Sequence, residues 1–195
     1  VNAINGHVAP PLPTTYPGVR IAREADEVSL FSLLTLMHAE NGMAPMSADR
    51  VLDRLRMGTR GQGGIVGVID GPAGIEASVG LYFSQLWYAS APTHMEESWL
   101  FVRPDRRRSD HAKKLIGFAI WTAKRIGLPL MMGVMTKHRL SAKLRLYQRQ
   151  LTQVGAIFYD GLPADEFFAQ RLVAESTSRR DVALSAAADK PQRVT

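Results

Sequence analysis

At Pro104 the hydrophobic period of the chain changes. Before it, Met95 to Val102 has the length and apolar content of a strand, and a proline cannot continue a strand as a ladder donor. After it, Leu115, Phe118, Ala119, Thr122, Ala123 and Ile126 recur three and four residues apart. Ser109 to Ile126 is therefore expected as a helix with one apolar face. A helix of this kind must bury its stripe, and the strand beside it belongs to the surface at hand. The junction directs the chain toward a mixed α/β architecture.

The remaining elements fit the same scheme. Val19 to Arg23 alternates as a short strand. Leu30, Leu33, Leu34, Met37 and His38 follow at helical spacing and stop at Asn41-Gly42. A second helix is expected from Ser47, as N-cap, through Met57, burying Val51, Leu52 and Leu55. Gly63 to Asp70 and Gly74 to Ala89 hold two or three strands around the turn Asp70-Gly71-Pro72. Leu130 to Met135 is expected as a short, buried central strand. Leu140, Leu144, Tyr147 and Leu151 mark a further helix, Val154 to Tyr159 a last strand, and Asp165 to Glu175 a weak helix. One α/β domain is thus expected over 19–162 of the 195 residues. Residues 1–18, with Pro10, Pro11, Pro13 and Pro17, read as an extended arm, either a loose tail or a docking strap. Residues 163–195 read as the weak helix and a polar tail.

Composition removes several chemistries. With no cysteine, disulfides, Cys-ligated zinc, Fe–S clusters and thiol nucleophiles are excluded, and a reducing, cytoplasmic setting is expected. No apolar run approaches the roughly 20 residues of a membrane span, and the polar, proline-rich start does not read as a secretory signal. His7, His38, His94, His111 and His138 form no metal-ligand pattern, so no metal is expected. No nucleophile elbow, phosphate loop of the Gly-Lys-Ser/Thr kind or dinucleotide fingerprint is present.

The net charge of +6 favours an anionic partner, and its location narrows the choice. Arg103, Arg106, Arg107, Arg108, Lys113 and Lys114 stand against Asp105 and Asp110, a local excess of +4. The segment spans a strand end, a turn and a helix start. A helix start offers N–H groups without internal partners and the positive end of the macrodipole, which suits phosphate or pyrophosphate. A solvated basic face is the competing reading.

The same stretch resembles the acetyl-CoA-binding motif of the GNAT acyltransferases, written Val-x-Pro-x-x-Arg-x-x-Gly-x-Gly/Ala-x-x-Leu. Val102, Pro104, Arg107, Ala112 and Leu115 match at the right intervals, and Asp110 stands where the motif has its first glycine. The run from Arg107 to Ala119 looks like GNAT-related proteins encoded by tailed phages and prophages. The resemblance implies a mixed, mostly antiparallel sheet flanked by about four helices. It implies a pyrophosphate cradle at Arg107, Arg108, Ser109, Asp110, His111 and Ala112, and a pantetheine edge at Leu100, Phe101 and Val102. Acetyl-CoA would be the co-substrate.

Members of this family often carry a glutamate base on the strand before the turn. Counting back from Val102 at pleat period gives Glu96, with Glu97 on the opposite face and His94 sharing the parity of Glu96. Exposed charges at a strand start are the competing reading. The family's general acid is often a tyrosine on the helix after the central strand, which Tyr147 matches; Tyr147 also falls on an apolar stripe and reads equally as core. The acceptor pocket implied lies near Met37, His38, Glu40, Asn41, Met43 and Met46, then Phe83, Trp87 and Tyr88, mostly readable as core too.

The reading that follows is an acyl-CoA-dependent N-acetyltransferase, moving an acetyl group to an amine of unidentified kind by direct attack in a ternary complex. The alternative is a non-catalytic binding or assembly protein of the same fold, such as a virion component. Nucleic-acid binding through the basic turn and the helix with Lys137, Arg139, Lys143, Arg145 and Arg149 ranks last, for want of a motif. Strand edges and the proline arm leave room for a homodimer.

Overall fold

A computed structural model describes residues 15–42, 44–134, 136 and 140–155. Six strands form one sheet in sequence order: β1 (Thr15–Tyr16), β2 (Val19–Ile21), β3 (Gly64–Gly71), β4 (Gly74–Ser84), β5 (His94–Val102) and β6 (Leu130–Met131). Neighbours are antiparallel through β5, and β6 runs parallel to β5. Four helices accompany them: α1 (Glu27–Asn41), α2 (Ala48–Thr59), α3 (His111–Ile126) and α4 (Leu140–Gln148). Residues 15–42 and 46–153 group as one compact unit; 43–45 group with 154–195, of which only 44, 45, 154 and 155 are described.

Alternation along the strands sends side chains to two apolar layers. Ile65, Val79, Leu81 and Met95 pack with Leu115, Phe118, Ala119 and Ala123 of α3. Val66, Val68, Tyr82, Trp99 and Phe101 pack on the opposite face with Leu30, Leu33 and Leu34 of α1 and Leu55 of α2. The helix signals act where the sequence places them. The Ser47 hydroxyl accepts from Arg50 N at 3.4 Å, capping α2. Gly127, with φ of 78°, closes α3 by donating its N–H to Ala123 O at 2.9 Å.

Several expectations are revised. Thr15–Tyr16, assigned to the arm by composition, is a strand, and the Tyr16 ring packs 6.2 Å from Phe118. β4 stops at Ser84, short of Ala89. Leu130–Met135 is not a buried central strand: β6 is two residues long, ends the described sheet, and leaves Met131 46% exposed. The residues that follow β6, 132–134, are described but take part in no strand pairing. Helix α4 has no fully buried residue and Leu140 is 48% exposed, so its leucine stripe covers less than the spacing implies. The strand expected at Val154–Tyr159 falls largely outside the described residues, as do the helix near Asp165–Glu175 and the domain limit at 162.

Candidate active site

The basic turn is tied down from both ends. Arg103 N donates to Glu76 O at 2.9 Å as β5 ends, and Pro104–Arg106 winds into a 3-10 turn. Ser109 closes the next step: its hydroxyl donates to Arg106 O at 2.7 Å and accepts from His111 N at 3.2 Å. Helix α3 then begins at His111, so the N–H groups of Ala112 and Lys113 lie in a first turn that supplies no intrahelical acceptor. Asp110 has φ of −87°, a conformation any L-residue adopts, so the glycine of the motif is not required here for backbone reasons. Its carboxylate turns to Lys114 Nζ, 3.0 Å away, and that contact holds its pKa below the ordinary aspartate value.

The fold also rebalances the charge of the turn. Glu76 arrives from β4 to meet Arg106, and Glu40 from α1 to bond Arg107, whose guanidinium lies 5.8 Å from the Phe101 ring centre. Six cations thus face four carboxylates, and the +4 of the sequence becomes about +2. Arg108 and Lys113 have no ion-pair partner among the described residues.

On β5 a bulge decides which side chain faces where. Gly80 pairs with Trp99 but Leu81 pairs with Glu97, leaving Ser98 as an extra residue that inverts the pleat. Glu97 therefore shares the face of Leu81 and Leu100, and Glu96, opposite Tyr82, is exposed on the other face. The parity count that favours Glu96 is overturned by that one residue. The bulge is held from α2: Arg54 Nη2 donates to Ser98 Oγ at 2.9 Å, with its guanidinium 3.5 Å from the Tyr82 ring centre. Trp99 lies flat over Gly80, where any Cβ would collide with its ring.

Beside the bulge the last ladder of the sheet stops. β5 and β6 pair only at Met95–Leu130 and Glu96–Met131, so the edge of β5 from Glu97 to Val102 has no β6 partner. The Glu97 carboxyl sits just past the last β5–β6 pair, accepting from Tyr147 Oη at 2.9 Å and from the Gly133 N–H. Burial there pushes its pKa up to about 7, against the hydrogen bonds and Lys143, which pull it down. Burial also raises the Tyr147 hydroxyl, and Glu97 adds to that. One helical turn before Tyr147, Lys143 Nζ donates to Thr136 Oγ1 at 2.9 Å, and Thr136 Oγ1 donates to Asn41 Oδ1 at 2.7 Å. Burial lowers the Lys143 pKa.

Of the residues singled out by sequence, Tyr147 bonds Glu97, Arg107 bonds Glu40, and Asn41 accepts from Thr136, with the charges of Glu97, Glu40 and Arg107 all acting on Lys143; Glu96 takes part in none of these contacts. His94 is buried and bonded through Nδ1 to Thr93 Oγ1 at 2.9 Å, a satisfied core histidine. Phe101 points into the core on the α1–α2 face, so it offers only its main chain to the edge that Leu100 and Val102 share. Met37 and Phe83 pack against the cores, whereas Trp87 and Tyr88 stand 93% and 69% exposed on the β4–β5 loop. Met43 and 137–139 lie outside the described residues. Glu76 escaped the sequence reading; its signal was a carboxylate within an otherwise apolar strand. Among the described residues no group of three His, Asp or Glu side chains converges as a metal site, and no helix is long and apolar enough to cross a membrane.

This mostly antiparallel sheet with its flanking helices is the fold of solved acetyltransferases, as the GNAT resemblance of the sequence implies. Solved structures with this fold include an acetyltransferase of Trypanosoma brucei, 17% identical at a TM-score of 0.54, covering 74% of this chain and 98% of that one. A predicted acetyltransferase from Clostridium acetobutylicum, solved with acetyl-CoA, is 12% identical at a TM-score of 0.60, covering 74% and 94%. The ribosomal-protein-alanine N-acetyltransferase of Brucella melitensis biovar Abortus 2308 is 12% identical at 0.57, covering 74% and 96%. No family model matches the sequence, and no curated protein is significantly similar to it.

Proposed function

We propose that this chain is an acyl-CoA-dependent N-acetyltransferase whose proton-handling groups are Glu97 and Tyr147. The observation that carries the reading is the 2.9 Å hydrogen bond between them, just past the last β5–β6 pair. A carboxyl near pKa 7 is matched to taking a proton from an ammonium at neutral pH. A buried tyrosine hydroxyl whose ionisation is suppressed keeps its proton until a basic leaving group requires it. Acetyl-CoA would supply an acyl group activated as a thioester.

The residues present fit that co-substrate. Among the described residues, the Ala112 and Lys113 N–H groups in the first turn of α3 have no intrahelical acceptor and Arg108 has no ion-pair partner, and Asp110 points its charge at Lys114. The N–H groups of Ala112 and Lys113 would hold the pyrophosphate, with Arg107 and Arg108 beside it, and Leu100 to Val102 would line the pantetheine; those of Ser109 and His111, expected from the sequence to share the cradle, are taken up by Arg106 O and Ser109 Oγ, and Asp110 turns to Lys114. Glu97 replaces Glu96 as the proposed base. The absence of cysteine agrees with direct attack, without an acyl-enzyme. The acceptor is an amine, and Glu40, Asn41 and Thr136 are the polar groups nearest its proposed approach.

A second reading rests on Arg107, which is bonded to Glu40 and not turned to the junction. In that reading the fold serves binding or assembly without catalysis, as in a phage particle, which the likeness of residues 107–119 to phage-encoded proteins supports. Thiol release from acetyl-CoA over a panel of amines separates the two. Turnover that falls about 100-fold in Tyr147→Phe and Glu97→Gln supports catalysis; no release above the uncatalysed rate with any amine supports the second reading.

A further inference from the structure

Glu76 is the buried charged side chain that the proposed chemistry leaves without a task. It is 5% exposed and is the extra residue of a bulge in β4, between Ile75, which packs in one apolar layer, and Ala77, which packs in the other. A carboxylate withdrawn from water costs several kcal/mol unless paired, so its partners matter. They lie on both flanks of the basic turn. Arg106 Nε, from the 3-10 turn, is 3.0 Å from Oε1, and His111 Nε2, the first residue of α3, is 2.9 Å from Oε2. The main-chain oxygen of Glu76 takes the Arg103 N–H at 2.9 Å. One residue of β4 therefore fixes the turn at 103, 106 and 111. Arg107 and Arg108, which face outward, make no contact with it.

Gly71 completes the arrangement. It pairs with Gly74 across the β3–β4 hairpin, and a Cβ at 71 would collide with the Glu76 carboxylate. The missing side chain is the space in which that carboxylate sits.

We propose that Glu76 is the positioning residue of the cofactor turn, holding Arg103 to His111 in the shape that presents the α3 N–H groups to a pyrophosphate. It touches no ligand itself. This rests on the acetyl-CoA reading above for its consequence, though not for its geometry.

Two variants test it by different routes. Glu76→Gln removes the charge, and Gly71→Ala keeps the charge and displaces the carboxylate. Amide hydrogen exchange is followed in the unliganded protein, and CoA affinity is measured by calorimetry. In both variants, exchange at Ser109 to His111 should rise about tenfold with Leu115 to Ala123 unchanged, and the CoA Kd should rise about tenfold. Wild-type exchange in the turn of either variant overturns the proposal. So does loss of protection throughout α3, which would make Glu76 a general fold residue. So does an unchanged Kd in variants whose turn has loosened. If the wild-type chain binds no CoA, the acetyltransferase reading fails, and the exchange measurement alone still decides whether Glu76 orders the turn.

Discussion

The Tyr147 hydroxyl donates to the Glu97 carboxyl across 2.9 Å, joining helix α4 to β5 just past the last β5–β6 pair. The contact depends on the bulge at Ser98, which turns Glu97 onto that face. Proton transfer in the proposed reaction runs through this pair.

In the proposed reaction, Glu97 as base would set the pH dependence of the rate. With its pKa near 7, kcat/KM should rise about tenfold per pH unit below that value and level off above it. Stopped-time assays from pH 5 to 9 should lose this limb in Glu97→Gln. A limb that persists in the variant would assign the base elsewhere.

The same shift acts on stability with a definite sign. Folding raises the Glu97 pKa from 4.5 to about 7, so the native state holds a proton that the unfolded chain releases in that window. The contribution is full below about pH 4.5 and is lost as pH rises through 7. Urea titrations should show wild-type protein losing up to about 3 kcal/mol relative to Glu97→Gln between pH 4.5 and 7.5. Parallel pH curves for the two proteins would contradict the burial of this carboxyl.

Arg20 ties three segments together, with Asp26 at 2.7 Å and Asp70 at 2.6 Å. The Arg20 hydrogen bond holds the Asp26 pKa below its ordinary value, so this stabilisation is present above the aspartate range and fades as pH falls. Asp26→Asn should cost about 1–2 kcal/mol at pH 7 and progressively less in acid. A pH-independent cost in chemical denaturation would mean that the charge is not what matters.

Gly80 is the floor under Trp99, whose Nε1 donates to Ser78 Oγ at 3.2 Å. Gly80→Ala should destabilise by about 1–3 kcal/mol and shift the tryptophan emission. Because Trp99 is the last paired residue before the bulge, the variant should also lower the pH of half-maximal rate as Glu97 moves toward water. Unchanged emission and stability would show that the strand absorbs a methyl group freely.

Local signals in this chain are faithful to local structure. Ser47 caps α2, Gly127 ends α3, Pro104 ends β5, and the apolar stripe of α3 from Leu115 to Ala123 is the one that packs. What the sequence does not disclose is non-local. A bulge adds one residue to one strand without a composition signature, and that single residue exchanged Glu96 for Glu97. The +4 of the turn was counted over neighbours in sequence, whereas Glu76 and Glu40 reach it from 35 and 67 residues away. The β6 run has the apolar content of a buried strand, but only Leu130 and Met131 pair with β5, and Met131 is 46% exposed.

Thermal melting with and without acetyl-CoA decides whether the chain binds the proposed co-substrate. Ligand at 100 times its dissociation constant should stabilise the protein by about 2.7 kcal/mol, and Tyr147→Phe should keep the shift while losing turnover. No change in Tm with acetyl-CoA or CoA at millimolar concentration would contradict the account.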